Sequence, residues 1–392
     1  MADNIPLYFI IAGEASGDLL GVRLMRALKA KHNGSIRFMG IGGARMVAEG
    51  MDLLFPQAEL AHFGLFELLR HVPRLFKRMD ETAAAIRAAK PKALITIDAP
   101  DFCFRVAKKI KSIGVPHIHY VAPTVWAWRP KRAKKIAQFL THLLALLPFE
   151  PPYFTREGLG CTFVGHSIVE SGADRGDAAR FREKFTVGDS VPVVTVLPGS
   201  RISEVSRLMP IFGETLRQVK QKYPDLRVVL PTVPHLADYV RAQSAGWTVP
   251  VILVDNDADK YDGFVASRAA LACSGTVALE LALARLPAVI AYKISWMTYY
   301  LYRRLIKVRF ANLVNIMHDR MVVPELLQKD CTPEKLAETL CGLIGNDTQR
   351  QTQINGLAEV GTWLGQGQFV PSERAAETII DVVRKAHEST AP

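Results

Sequence analysis

The chain has 392 residues, 49% of them hydrophobic and 22% charged, which is enough apolar matter for two or three packed domains and excludes a disordered chain. Its formal charge of +11 favours anionic partners: nucleic acid, phosphosugars or an acidic membrane surface. Cys103, Cys161, Cys273, Cys331 and Cys341 form no C-x-x-C pair, which excludes a zinc ribbon and a disulfide framework and reads as reduced thiols.

Residues 7–12 predict a first strand, too short for a signal-peptide core. It runs into Gly13-Glu14-Ala15-Ser16-Gly17-Asp18 and then a helix over 19–31. This glycine-rich turn has neither the dinucleotide nor the P-loop spacing. Its amides can hold an anion or a sugar hydroxyl, or it is only a tight turn. A second strand is predicted at 36–40.

Residues 63–76 stand apart. Phe63, Leu65, Phe66, Leu68, Leu69, Val72, Leu75 and Phe76 leave little polar face, and Arg70, Arg74, Lys77 and Arg78 interleave or follow. The segment reads as an interfacial membrane element or as a buried core helix, with Pro73 opening a new helix. A similar aromatic and basic mixture recurs over 296–310. No run of about 20 apolar residues appears, so no membrane span is expected.

Strands are predicted at 93–98, 117–121, 143–147 and 162–164, with helices at 104–113 and 131–139. Asp98-Ala99-Pro100-Asp101-Phe102 closes the first of these strands. Asp98 there is either a general base or part of a turn. His117 and His119 share one face of a strand, as packed histidines or half a metal site. Trp126 and Trp128, beside Arg129, can stack on a sugar or acyl chain, or can anchor a loop.

A polar stretch at 171–190 marks a domain boundary, and the alternation then restarts. Strands are predicted at 193–197, 227–230, 251–254, 269–272 and 288–292, with helices at 202–223 and 276–284. Alternation of this kind predicts an α/β chain of two doubly wound parallel sheets, with ligands at the carboxyl ends of the strands. Pro198-Gly199-Ser200-Arg201 brings amides, a hydroxyl and a guanidinium to one strand end, which suits a diphosphate without a metal ion. Ser274-Gly275-Thr276 repeats the arrangement, with Glu280 one turn on for ribose hydroxyls. Asp255-Asn256-Asp257-Ala258-Asp259 reads as an acidic loop rather than a D-x-D metal site, and it lacks the EF-hand glycine and glutamate. A last helix is expected over 373–385, with Ser372 as N-cap and Ala376, Ile379, Ile380 and Val383 on one face.

Together these segments resemble the lipid-A-disaccharide synthase family. The matching pieces, in order, are A-G-E-A-S-G-D-L-L-G at 12–21, D-A-P-D-F at 98–102, V-W-A-W-R at 125–129 and L-P-F-E at 147–150. They continue with F-V-G-H at 163–166, L-P-G-S-R at 197–201 followed by Glu204, S-G-T-V-A-L-E at 274–280, N-L-V-N-I at 312–316 and V-V-P-E-L-L-Q at 322–328. The sequence departs from the family pattern at Cys103, Ala122, Thr124, Ser167, Val314 and 317–319.

The resemblance implies a GT-B fold of two Rossmann-like domains: 1–170 facing acceptor and membrane, 171–368 binding a UDP-sugar, and 369–392 returning as a helix to the first domain. It implies an inverting transfer of 2,3-diacylglucosamine from UDP-2,3-diacylglucosamine to 2,3-diacylglucosamine 1-phosphate, forming a β(1→6) disaccharide. No cofactor, metal or nucleic acid is expected. The enzyme would be cytoplasmic and peripheral on the inner membrane, with a homodimer as an open expectation. Asp98 becomes the acceptor base and Arg201 the partner of the leaving group. Gly199, Ser200, Ser274, Gly275, Thr276, Glu280 and Asn315 are expected on UDP-sugar. Gly13, Glu14, Ser16 and Trp126 are expected on acceptor, and Phe63, Phe66, Leu69 and Phe76 on the membrane. Two other readings are a UDP-sugar epimerase of the same fold and a basic binding protein without catalysis.

Overall fold

The structure, a computed structural model, describes residues 5–61, 68–128, 130–294 and 308–388. The alternating apolar runs form two sheets. The first joins β1 (Leu7–Ala12), β2 (Arg37–Gly42), β3 (Met51–Pro56), β4 (Ala93–Ile97), β5 (His117–Tyr120), β6 (His142–Ala145) and β7 (Gly160–Phe163) in the order 3-2-1-4-5-6-7. The second joins β8 (Val193–Leu197), β9 (Arg227–Pro231), β10 (Val251–Val254), β11 (Ala269–Cys273), β12 (Ala288–Tyr292) and β13 (Glu325–Leu327) in the order 10-9-8-11-12-13. Every paired strand runs parallel.

Both sheets reverse direction of growth once, between β1 and β4 and between β8 and β11. Such switch points open crevices beyond the carboxyl ends of the strands. Helices cover both faces of a doubly wound sheet, so its inner strands read as unbroken apolar runs. Accordingly all five residues of β4 and of β8 are buried.

The chain divides into two compact units, Met1–Ser167 with Gly367–Pro392, and Ile168–Gln366. In the first unit, helix Ala15–Lys31 covers one sheet face with Leu20, Leu24, Met25 and Leu28. The C-terminal helix Pro371–Glu388 joins the same core through Ala375, Ala376, Ile379 and Val383. Burying each larger side chain there is worth about 1.5–3 kcal/mol. Lys31 pairs with Glu377 at 2.5 Å alongside. That helix starts at Pro371, so Ser372 lies in its first turn rather than at the cap, because proline suits the first helical position.

In the second unit, helix Ile202–Lys222 lays Val205, Leu208, Met209, Phe212, Leu216 and Val219 on the sheet at helical spacing. Helix Pro333–Gly345 enters the same core with Leu336, Leu340 and Leu343.

Several elements differ from expectation. Helix Pro100–Ile110 begins four residues early, again at a proline, and 111–113 turn as a 3-10 segment. The helix expected over 131–139 shrinks to Arg132–Ile136. Pro73 lies inside helix Leu68–Ala89 and opens none. β3 and β13 were not anticipated, because their short exposed-edge patterns carry weak periodicity.

Candidate active site

Gly13, Glu14 and Ser16 follow β1 and Asp98 follows β4, the two strands of the first switch point, while Trp126 follows the neighbouring β5. Gly13 follows β1, and a Cβ there would lie 2.5 Å from that of Ala99, so only glycine lets the two turns touch. Glu14 is the extended N-cap of helix Ala15–Lys31, and it and Ser16 are exposed. Asp18 is buried and accepts from the amides of Gly43 at 2.9 Å, Arg45 at 3.3 Å and Met46 at 3.1 Å. It caps the short helix Ala44–Ala48 and braces the turn after β2. Sequence carried no local sign of this role, since the partner amides lie 25 or more residues away.

Asp98 and Ala99 both adopt left-handed backbone, at φ +53 and +43. For residues with a Cβ each such conformation costs about 1–2 kcal/mol. The pair is held by Asp98 N–H to Tyr120 O at 3.0 Å and Cys103 N–H to Ala99 O at 3.1 Å. Strain of this kind concentrates at functional sites. Burial pushes the Asp98 carboxyl above the ordinary carboxylate range, against the pull of the Ala99 amide. A carboxylate raised in this way is a better proton acceptor. Cys103, behind it, is fully buried and its thiol is pushed up by burial and then by the charge of Asp98, so it stays a neutral thiol.

Trp126 is tied to Glu150, which the sequence reading left without a role. The indole Nε1 donates to Glu150 Oε1 at 3.2 Å, and Phe149 meets the ring edge-on with centroids 5.2 Å apart. Glu150 Oε2 accepts from Leu146 N–H at 3.2 Å and Leu147 N–H at 3.0 Å. Glu150 is 2% exposed, and burial lifts its pKa to about 7 despite these donors. Arg129 lies outside the described residues.

His117 and His119 are packed, not ligating. Both rings meet the Thr96 hydroxyl at 2.7 Å, and Phe104 stacks edge-on against His119. Burial holds both well below the ordinary histidine range, so they are neutral.

The second switch point gathers the residues expected on UDP-sugar other than Asn315. Gly199, at φ +121, follows β8, and a Cβ there would strike the Glu204 side chain. The Glu204 carboxylate reaches the amides of Ser200 and Arg201 and the Arg201 guanidinium. Arg201 itself is 76% exposed at the N-terminus of helix Ile202–Lys222. The sequence signal for this role of Glu204 is its place three residues after the cap Arg201.

Beyond β11, Ser274 Oγ donates to Ala311 O at 3.1 Å, and a Cβ on Gly275 would meet nothing within 4 Å. Thr276 is the cap of helix Val277–Leu283 rather than its first residue. Glu280 is largely buried and faces Lys260 Nζ at 3.3 Å. Burial pushes its carboxyl up while Lys260 pulls it down. The acidic loop before Lys260 is a helix cap and a set of ion pairs. Asn256 Oδ1 accepts Asp259 N–H at 2.9 Å, Asp259 holds Lys184 at 2.7 Å, and Asp257 holds Lys260 at 2.8 Å. Among the described residues no three histidine, cysteine or carboxylate side chains converge as metal ligands.

Asn315 is fully buried and spends its amide internally. Its Nδ2 donates to Val323 O at 2.7 Å and Glu325 Oε1 at 2.8 Å. Its Oδ1 accepts from Val322 N–H at 2.8 Å and Val323 N–H at 2.9 Å. Glu325 also accepts from Ala311 N–H and Asn312 N–H, at 2.8 and 2.9 Å. This leaves Asn315 no free group for a ligand, because every hydrogen-bonding position on its amide is taken. Together Asn315 and Glu325 brace the loop that Ser274 touches.

Of the expected membrane residues, Phe63 and Phe66 lie outside the described residues, as does the Leu69 side chain and most of 296–310. Phe76 is 44% exposed, with the Arg105 guanidinium 5.6 Å from its ring. Arg74 and Arg78 do not point freely outward: both pair with Glu59, at 2.9 and 2.5 Å, and Arg78 also with Glu81. No helix among the described residues is long and apolar enough to cross a membrane.

The model of a family described as Lipid-A-disaccharide synthetase matches residues 8–379. A lipid-A-disaccharide synthase of Rhodospirillum centenum is 58% identical over 97% of this chain and 95% of its own. One of Paramagnetospirillum magneticum is 46% identical over 97% and 99%. Among solved structures, the glycotransferase of kitacinnamycin superposes with TM-score 0.64 at 14% identity, over 96% of this chain and 98% of that one. A UDP-GlcNAc 2-epimerase from Neisseria meningitidis, bound to UDP-GlcNAc, superposes with TM-score 0.61 at 12% identity, over 97% and 100%. At such identities the last two share the fold.

Proposed function

The chain belongs to the lipid-A-disaccharide synthetase family, a glycosyltransferase of GT-B fold, and from that premise we propose that it is an inverting enzyme joining UDP-2,3-diacylglucosamine to 2,3-diacylglucosamine 1-phosphate. Family membership sets aside the epimerase and the non-catalytic binder. One observation carries the finer reading: a strained, half-buried carboxylate at one switch point and an arginine-bearing helix N-terminus at the other.

In this reading Asp98 takes the proton from the acceptor 6-hydroxyl as its oxygen attacks the anomeric carbon. The bond from that carbon to the diphosphate breaks, and negative charge passes to UDP. Arg201, with the amides around Ser200 and Gly275, meets that charge where it develops, so it binds the transition state more tightly than the ground state. Attack on the face away from UDP inverts the centre. Glu280 is assigned to the ribose hydroxyls, and Asn315 positions the neighbouring loop. Gly13, Glu14, Ser16 and Trp126 are assigned to the acceptor sugar.

A substrate with several acyl chains leaves the bilayer at a cost of about 0.8 kcal/mol per CH₂, so the enzyme is expected to work at the membrane surface. The exposed Phe76 supports that reading. The deciding experiment incubates the protein with both acylated substrates. Release of UDP with a β(1→6) disaccharide is expected. UDP release without disaccharide, or an α anomer, would overturn the reading.

A further inference from the structure

The amino ends of the second sheet, opposite its phosphate-facing loops, carry a cavity of about 360 Å³. Ser267 and Arg268 line it just before β11, and Arg285 just before β12. Arg182 and Arg350 complete four guanidinium groups around one space. Among the described residues one carboxylate answers them: Asp347 pairs with Arg268 at 3.0 Å and Arg350 at 2.7 Å. Arg182 spends its guanidinium on the carbonyls of Gly188, Val191 and Ala266.

Two features of this cavity have no use in the fold alone. Arg350 Nη1 is buried without a hydrogen-bond partner, a costly state for a charged donor. Arg285 stands at φ +53, immediately after the cap of helix Val277–Leu283. Its amide donates to Ala282 O and that of Leu286 to Leu281 O. This is the left-handed helix-ending position where glycine is favoured and a side chain is strained. The chain keeps an arginine there, exposed at the cavity edge, and no carboxylate among the described residues pairs with it.

We propose that this cavity binds a phosphate group, held by Arg285 at the cavity edge with the guanidinium groups of Arg268 and Arg350 beside it. Guanidinium groups match phosphate oxygens in pairs, and a dianion would offset most of the surplus charge. The group is a free phosphate or the phosphomonoester head of a lipid. It is not the UDP of the reaction, whose loops sit at the other end of the strands.

The test measures thermal midpoints of the full-length protein with UDP held saturating, in sodium phosphate and in sodium chloride of equal ionic strength. Wild type should gain stability in phosphate alone, since a ligand of the folded state stabilises it. Arg285→Gly should raise the midpoint in chloride by relieving the strained backbone, yet bind phosphate at least tenfold more weakly. Arg201→Ala should keep the phosphate response. Vesicles of phosphatidylcholine with and without phosphatidic acid separate the sources. Retention by phosphatidic acid that is lost in Arg285→Gly assigns the lipid head, and a response confined to solution assigns free phosphate. The proposal is overturned if wild type responds equally to both salts. It is overturned equally if Arg285→Gly binds phosphate like wild type or melts lower in chloride.

Discussion

The Glu204 carboxylate accepts the amides of Ser200 and Arg201 at 3.2 and 3.3 Å and meets Arg201 Nη1 at 3.0 Å. The protein's own anion thus stands where the candidate diphosphate site offers its donors. Helix N-termini favour negative charge, and a side chain and a ligand compete for the same amides.

Glu204→Gln should therefore bind UDP more tightly, by about fivefold for roughly 1 kcal/mol of relieved repulsion. Titration calorimetry with UDP reads this directly. Weaker binding would mean instead that Glu204 orients Arg201 for the ligand.

Asp98→Asn should keep its fold and UDP affinity while turnover falls by about 10²–10⁴, the usual worth of a general base. Because burial raises the Asp98 pKa, the base is lost as pH falls through a value above the ordinary aspartate range. The acidic limb of kcat/KM should sit correspondingly high in wild type and vanish in the variant. Near-normal turnover of the variant would remove Asp98 from the mechanism.

Glu150 titrates near pH 7 in the folded protein, against 4.5 as its ordinary value. A raised carboxyl pKa means that the folded state holds the proton more tightly. Its stabilising contribution is full below pH 4.5 and is lost as pH rises toward 7. For a group this buried the loss is of order 3 kcal/mol. Denaturant midpoints at pH 5 and 8 should show that slope in wild type and not in Glu150→Gln. The fluorescence of Trp126, isolated by difference from Trp126→Phe, should change with a midpoint near 7. A flat fluorescence profile would disconnect the two residues.

Phe76→Ser should release the protein from anionic vesicles severalfold without lowering its thermal midpoint, because the ring is already 44% exposed. A large fall in the midpoint would place Phe76 in the core instead. The closely ion-paired Arg74 and Arg78 should matter less, and neutralising Lys77, whose side chain is 77% exposed and meets Glu81 only at 4.0 Å, should cost more vesicle binding than neutralising either.

By itself the sequence determined the alternation of strands and helices, the two doubly wound sheets and the motifs at their carboxyl ends. Those features are local. A buried parallel strand is an unbroken apolar run, and Pro198-Gly199-Ser200-Arg201 carries its turn chemistry within four residues. What the motifs do with their hydrogen bonds was decided only by the tertiary structure. Asn315 looks like a ligand group in sequence, yet Val322, Val323 and Glu325 consume it. Arg74 and Arg78 look like membrane cations, yet both pair with Glu59. Asp18 and Glu150 look incidental, yet one braces the turn after β2 and the other holds Trp126. In each case the partner is supplied by a different element. Which donor meets which acceptor across that gap depends on packing, and a one-dimensional pattern does not contain it.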